Sequence, residues 1–155
     1  MSPNTYACGS RVFSADACWR HTDGDLACLD MPWDHRLFRR TIAGNLPRTP
    51  AADDPQPLGL QLHDGSRYRQ RNGPGGGFPP DGFTDVYFCA SGPCGDNPDE
   101  VMAVLDSVDG SAVVNRDGDT WTVVVGELAT GEKESAELPE PETQNVVRAW
   151  FITAE

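Results

Sequence analysis

The stretch that decides the fold class is Asp16-Ala17-Cys18-Trp19-Arg20-His21-Thr22-Asp23-Gly24-Asp25-Leu26-Ala27-Cys28-Leu29. Asp23-Gly24 stands between two runs of β-forming residues, which is a strong signal for a hairpin turn. Cys8, Cys18 and Cys28 recur at intervals of ten residues, so three neighbouring antiparallel strands would present their sulfurs at a similar level. The pattern predicts a cysteine-bearing meander over about residues 4–30, stapled by a disulfide in an oxidising compartment.

Further strands follow along the chain, each bounded by turn residues. The segment 58–62 alternates apolar and other residues with period two, turns at Asp64-Gly65 and returns through 66–71. The segment 84–90 is aromatic and β-branched, as expected of a buried strand. The sequence therefore predicts an all-β sandwich or barrel of about 8–10 short antiparallel strands, with at most one or two short helices. At 155 residues the chain is expected to form one domain over 1–155.

Two segments allow more than one secondary structure. Between residues 31 and 45, an edge strand over 37–42 is favoured over a short helix that would begin at Pro32. After Asn97-Pro98, a helix of at most two turns would end near Ser107, and the alternative is a strand over 101–105.

Charge is distributed unevenly along the chain. Residues 1–95 carry ten acidic residues against nine arginines, whereas residues 96–155 carry fourteen acidic residues against three basic ones. An acidic C-terminal half (96–155) lacks the clustered cations that phosphate-backbone binding requires, so a nucleic-acid partner is excluded. Solubility is the simpler explanation of the acidity, and a basic partner or bound cations are the alternatives.

The five cysteines predict two disulfides and one unpaired thiol. Cys89 and Cys94 close a six-residue loop, and Cys18 with Cys28 is the first choice among the N-terminal pairs. Zinc binding by Cys89 and Cys94 is the alternative, but a second half-site is missing. The segment 115–119 is interpreted as an Asx-Gly hairpin turn, because its glycine and its last acidic residue are misplaced for a calcium loop. No metal and no cofactor is predicted.

The segment 72–80 is predicted to be the ligand-facing loop, because a nine-residue loop without regular structure often carries function. It follows a strand whose alternate arginines are expected to form a solvated cationic face, and it ends near two aromatic residues. That mixture suits an acidic or carbohydrate ligand, and the alternative is a packed loop that covers one end of the sheet. The candidate ligand-binding residues are Arg67, Arg69, Arg71, Phe78 and Phe83.

Scattered motifs resemble those of a family of uncharacterised exported proteins from actinobacteria, mycobacteria and their relatives. The resemblance implies export and a β-rich fold but no known activity, and it implies a cysteine where this chain has Tyr68. The matching pieces are Ser2-Pro3-Asn4, Ala17-Cys18-Trp19-Arg20, Pro57-Leu58-Gly59-Leu60-Gln61-Leu62, Arg69-Gln70-Arg71-Asn72-Gly73-Pro74, Tyr87-Phe88-Cys89 and Trp121-Thr122-Val123.

These observations favour an extracytoplasmic protein, secreted or associated with the cell envelope, that binds an unknown protein or envelope component without catalysis of its own. Met1-Ser2-Pro3 leads directly into the first predicted strand, so the chain is expected to be a mature part with its targeting segment removed. No apolar run is long enough to span a membrane. The alternatives are a hydrolase of envelope glycans or peptides that uses loop carboxylates, and an inhibitor or immunity-type protein that binds a basic partner.

Overall fold

A computed structural model describes residues 5–6, 17–21, 24–41, 55–71, 77–95, 101–108, 113–130 and 137–151. Within these ranges the protein has ten strands and one short 3-10 helix, Pro93–Gly95, which confirms the predicted all-β class. The strands are β1 Thr5–Tyr6, β2 Cys18–Arg20, β3 Leu26–Leu29, β4 Leu37–Arg40, β5 Gly59–Leu62, β6 Arg67–Gln70, β7 Phe83–Ser91, β8 Val101–Ser107, β9 Thr122–Leu128 and β10 Glu142–Trp150.

The chain divides into two compact units. The first unit comprises residues 1–58, 72–74 and 150–155, and the second comprises 59–71 and 75–149. A compact unit is not necessarily a separately folding domain, so one domain over 1–155 stays a prediction.

The first unit contains an antiparallel sheet in the order β1-β2-β3-β4. Cys18 lies directly opposite Cys28 in the β2–β3 pair, and the two form a disulfide with their Cα atoms 4.0 Å apart. Both cysteines are fully buried, together with Leu26. The predicted hairpin and its disulfide are therefore present, whereas Cys8 lies outside the described residues.

The segment after β3 forms a turn and an edge strand. The Asp34 N–H donates to the Met31 carbonyl at 3.2 Å, and the Asp30 N–H donates to the Arg36 carbonyl at 3.0 Å, which starts the pairing with β4. Leu37 then lies opposite Leu29. The edge strand favoured by the sequence is thus present, and it ends at Arg40.

The barrel is a closed antiparallel sheet in the order β10-β5-β6-β7-β8-β9. It closes where the last strand meets β5, and there the His63 N–H donates to the Asn145 carbonyl at 3.0 Å. Side chains that alternate along the strands fill the interior. The buried residues of this core are Leu60, Leu62, Tyr68, Tyr87, Val104, Val114, Val123 and Val125.

The pairing of strands decides what forms at two segments that the sequence described only locally, 101–107 and 115–119. Residues 101–107 form β8, so the strand alternative is correct there, because both neighbouring strands supply hydrogen-bond partners. Within the described residues, the hairpin expected around 115–119 consists of one bridge between Asn115 and Thr122. Its turn is closed as expected of an Asx turn, since the Asp117 N–H donates to the Asn115 Oδ1 at 2.9 Å.

Candidate functional site

Two of the candidate arginines, Arg67 and Arg69, flank Tyr68 on β6, and Tyr68 lies in the barrel core, whereas Arg71 follows the last residue of β6. The expectation of a solvated cationic face is wrong for Arg69, which is only 3% exposed. Arg69 lies in the middle of the sheet, between Gly59 on β5 and Phe88 on β7. A long side chain that is flanked by strands on both sides loses access to water along its stem.

Arg71 forms an ion pair with Asp85 at the start of β7, and both side chains are 13% exposed. The Arg71 N–H also donates to the Val86 carbonyl at 2.8 Å, so the backbone at this corner is fixed as well. Burial lowers the pKa of the Arg71 guanidinium, which nevertheless stays charged because the pKa of arginine lies far above neutrality. The charge of Arg71 is therefore matched by Asp85.

Phe78 is the most exposed of the large apolar side chains in the described residues, at 74%. Its backbone nevertheless forms a bridge with Ala129: the Phe78 N–H donates at 2.9 Å and the Phe78 carbonyl accepts at 2.7 Å. Gly77 allows this close approach, because a Cβ at that position would lie 2.7 Å from the Leu128 Cβ. Phe78, in the predicted ligand-facing segment 72–80, is thus an exposed aromatic side chain on a hydrogen-bonded backbone, and residues 72–76 lie outside the described ranges.

Phe83 has a different environment from Phe78. It begins β7 and packs against a small apolar cluster of Ala103, Leu105 and Leu128. Its N–H donates to the Pro80 carbonyl at 3.1 Å, so the segment between the two phenylalanines is held at both ends. Phe83 anchors the loop, whereas Phe78 is left exposed.

Two depressions lie beside the start of β10, both within the second unit. The β9 cleft has a volume of about 320 Å³ and is lined by Met102, Val125, Gly126, Glu127, Pro139, Glu140, Glu142 and Gln144. The second depression, of about 340 Å³, is lined by His63, Asp64, Glu142, Thr143, Gln144 and Asn145. The two share Glu142 and Gln144, and carboxylates contribute to the walls of both.

Glu127 is the residue of this region that the sequence reasoning missed. Its side chain is only 7% exposed, and the residue lies opposite Met102 on β8. Glu127 continues the alternation of Val123 and Val125, whose side chains belong to the barrel core. The sequence signal that could have identified Glu127 is this alternation, because an acidic residue at a buried position of a strand is unusual. A buried acidic residue is therefore a stronger candidate for a functional residue than the many acidic residues on the surface.

A hydrogen-bonded node joins the β5–β6 turn to the second disulfide. Ser66 is fully buried: its N–H donates to the Asp64 Oδ1 at 2.8 Å, and its hydroxyl donates to the Asp64 Oδ2 at 2.9 Å. The Ser66 hydroxyl also accepts the Cys94 N–H at 3.3 Å. Cys94 forms the expected disulfide with Cys89, with Cα atoms 5.9 Å apart. Burial, followed by the charge of Asp64, raises the pKa of the Tyr68 phenol on the adjoining strand.

The described ranges contain no group of three or more His, Cys, Asp or Glu side chains that could hold a metal ion. Among the same residues, no helix has the length and apolar character needed to cross a membrane. No family model matches the sequence, and neither a curated protein nor a solved structure shows significant similarity to it.

Proposed function

We propose that the protein is an extracytoplasmic binding domain, secreted or associated with the cell envelope, without catalysis of its own. The two disulfides are consistent with an oxidising environment. The observation that carries the proposal is Phe78, an aromatic side chain that is 74% exposed while its backbone is fixed to Ala129.

An aromatic side chain in this situation is suited to binding. Exposed apolar groups favour association because burying them removes apolar surface from water, and aromatic residues often contribute most of the binding energy at interfaces. A fixed backbone lowers the conformational entropy that is lost when a partner docks. Gly77 makes this arrangement possible, since its missing side chain lets the loop lie against Leu128.

The surroundings of Phe78 indicate the chemistry of the ligand. Ala129 lies two residues beyond Glu127 of the β9 cleft, and Leu128 pairs with Val101, which is 37% exposed. Phe78 and the exposed Val101 therefore both neighbour the end of β9. These apolar residues support a ligand that offers an apolar surface to Phe78.

The test is cosedimentation with an insoluble cell-wall polymer purified from an actinobacterium. We expect the wild type to bind and Phe78→Ala to bind about tenfold more weakly, as for a central aromatic anchor. Val108→Ala is the matched control, because Val108 is 68% exposed on the same unit and should leave binding unchanged. Gly77→Ala keeps the phenylalanine but forces the loop off Leu128, so it should also weaken binding.

Three results would contradict the proposal. Wild-type protein that stays in the supernatant contradicts a domain that binds the cell wall, and equal binding by Phe78→Ala contradicts the role of Phe78 in the site. Release of soluble fragments from the polymer would favour the hydrolase hypothesis instead.

A further inference from the structure

The second depression, of about 340 Å³, lies in the second unit where β5 turns away from β10. The two segments are joined where the His63 N–H donates to the Asn145 carbonyl at 3.0 Å. Directly after this bond the chain turns, because the Gly65 N–H donates to the Leu62 carbonyl at 3.0 Å. Since β10 begins three residues earlier, at Glu142, a space is left between the turn and the start of β10.

The backbone of β10 presents both a donor and an acceptor to this space. The Val146 N–H donates to the Trp121 carbonyl beside β9 at 2.8 Å, whereas the Asn145 carbonyl faces His63. Backbone groups alternate between the two sides of a strand, so the N–H and the carbonyl of Thr143 point to the same side as those of Asn145. The Thr143 backbone therefore faces the second depression, of which Thr143 is a lining residue.

The side chains around the second depression combine hydrogen-bond donors with acceptors. They comprise two carboxylates, two amides, one hydroxyl and one imidazole, from His63, Asp64, Glu142, Thr143, Gln144 and Asn145. The carboxylate of Asp64 has a fixed orientation, because its two oxygens accept the N–H and the hydroxyl of Ser66 at 2.8 and 2.9 Å. A carboxylate offers about four acceptor sites, so Asp64 keeps capacity for a ligand.

We infer that the second depression binds a neutral, hydroxyl-rich ligand, that is, a sugar. A hydroxyl group both donates and accepts hydrogen bonds, so neighbouring hydroxyls on a ring can pair with carboxylates, amides and the Thr143 backbone together. An anion would be repelled by the two carboxylates, and a cation would offer no acceptor to the amide and backbone donors. The volume is near the lower end of the range of small-molecule sites, about 300–1,000 Å³, which suits a short glycan rather than a large ligand.

The sequence before β10 disfavours an added peptide strand as the occupant. The next residue whose backbone groups point to the same side as those of Thr143 is Pro141, which has no N–H to donate. A peptide strand depends on a continuous series of main-chain donors and acceptors, whereas a small ligand can use the single pair on Thr143. A depression that holds only water is the remaining interpretation, and it predicts no saturable response to a sugar.

The probes are three methyl hexopyranosides of gluco, manno and galacto configuration, titrated into the whole isotope-labelled protein and followed by amide NMR spectra. We expect at least one of them to shift the Thr143 amide saturably, with a dissociation constant in the millimolar range because the ligand has few atoms. The affinity should be the same at low and high salt, since the ligand carries no charge. 1,5-Diaminopentane is the cationic comparison and should produce no saturable shift of this amide.

Two glutamates provide a matched pair of variants. Both are exposed and lie two positions apart, but Glu142 lines the second depression, whereas Glu140 belongs to the β9 cleft. Glu142→Gln should weaken sugar binding about tenfold, because it removes a charged acceptor, and Glu140→Gln should leave binding unchanged. This inference is independent of Phe78, so Phe78→Ala should bind the sugar like the wild type.

The inference is overturned if none of the three glycosides shifts the Thr143 amide saturably, because the depression then holds only water. It is also overturned if Glu142→Gln and Glu140→Gln bind the sugar equally well. Saturable binding of 1,5-diaminopentane at the same amide, weakening as salt rises, would replace the sugar site by a cation site.

Discussion

Replacing Gly92 by alanine tests how tightly the second disulfide loop is fitted to the barrel. Gly92 has φ of +91°, and a Cβ there would lie 2.9 Å from the Gly65 carbonyl oxygen and 3.0 Å from the Ser66 Cα. Both obstacles belong to the backbone, so no side-chain rotation can relieve the contact. Gly82→Ala is the matched control, because Gly82 has φ of +83° but no atom within 4 Å of the added Cβ.

The two variants should differ by the steric contribution alone. Both lose the same conformational freedom in the unfolded chain, and both place alanine in the left-handed region, which costs about 1–2 kcal/mol. Gly92→Ala additionally forces the loop and the turn apart, which costs about 1–3 kcal/mol by analogy with overpacked sites. We therefore expect the free energy of unfolding of Gly92→Ala to lie about 2 kcal/mol below that of Gly82→Ala.

Equilibrium unfolding in urea, with both disulfides intact, measures this difference. With a slope of about 2 kcal/mol per molar urea, the midpoint of Gly92→Ala should lie about 1 M below that of Gly82→Ala. Hydrogen exchange should also show faster exchange of the Cys94 amide, which donates to the Ser66 hydroxyl. Equal midpoints for the two variants would refute the close fit between the loop and the turn.

Three further predictions concern stability. Replacing both Cys18 and Cys28 by alanine should lower the free energy of unfolding by about 3 kcal/mol in urea titrations, through the larger entropy of the unfolded chain. Ser66→Ala should cost about 1.5–3 kcal/mol in the same assay, because it removes a bond to the Asp64 carboxylate and the acceptor of a backbone amide. Burial raises the pKa of Tyr68 and Tyr87 in the folded protein, so their contribution to stability is complete below the unfolded-state pKa and is lost as pH rises above it. The free energy of unfolding from urea titrations should therefore fall above about pH 10, by about 1.4 kcal/mol per pH unit for each tyrosine, and a free energy that stays constant there would contradict the burial of both phenols.

Local sequence signals predicted most of the individual strands. Asp-Gly turns and period-two alternation identified β2, β3, β5 and β6, aromatic and β-branched content identified β7, and the spacing of the cysteines identified both disulfides. These features depend on residues that are close in sequence, where turn chemistry and side-chain alternation determine the structure.

The arrangement of the strands depends on distant residues. Closure of the barrel requires β10 to pair with β5 across some eighty residues, and no local pattern encodes that contact. The burial of Arg69 also depends on distant residues. The alternation along β6 predicts that Arg69 points out of the barrel, but it does not reveal that Gly59 and Phe88 lie on either side of it. The exposure of Phe78 likewise depends on Ala129, a partner fifty-one positions further along the chain.

The pairing of β10 with β5 has a consequence for the order in which the protein acquires its structure. A ribosome releases the N-terminal residues first, so β5 through β9 leave it while the strand that completes the ring is still being synthesised. Until residue 150 has emerged, the nascent sheet carries two unpaired borders, on β5 and on β9. Co-translational folding can thus produce the hairpins one after another, whereas the ring itself forms only after translation has passed its last strand.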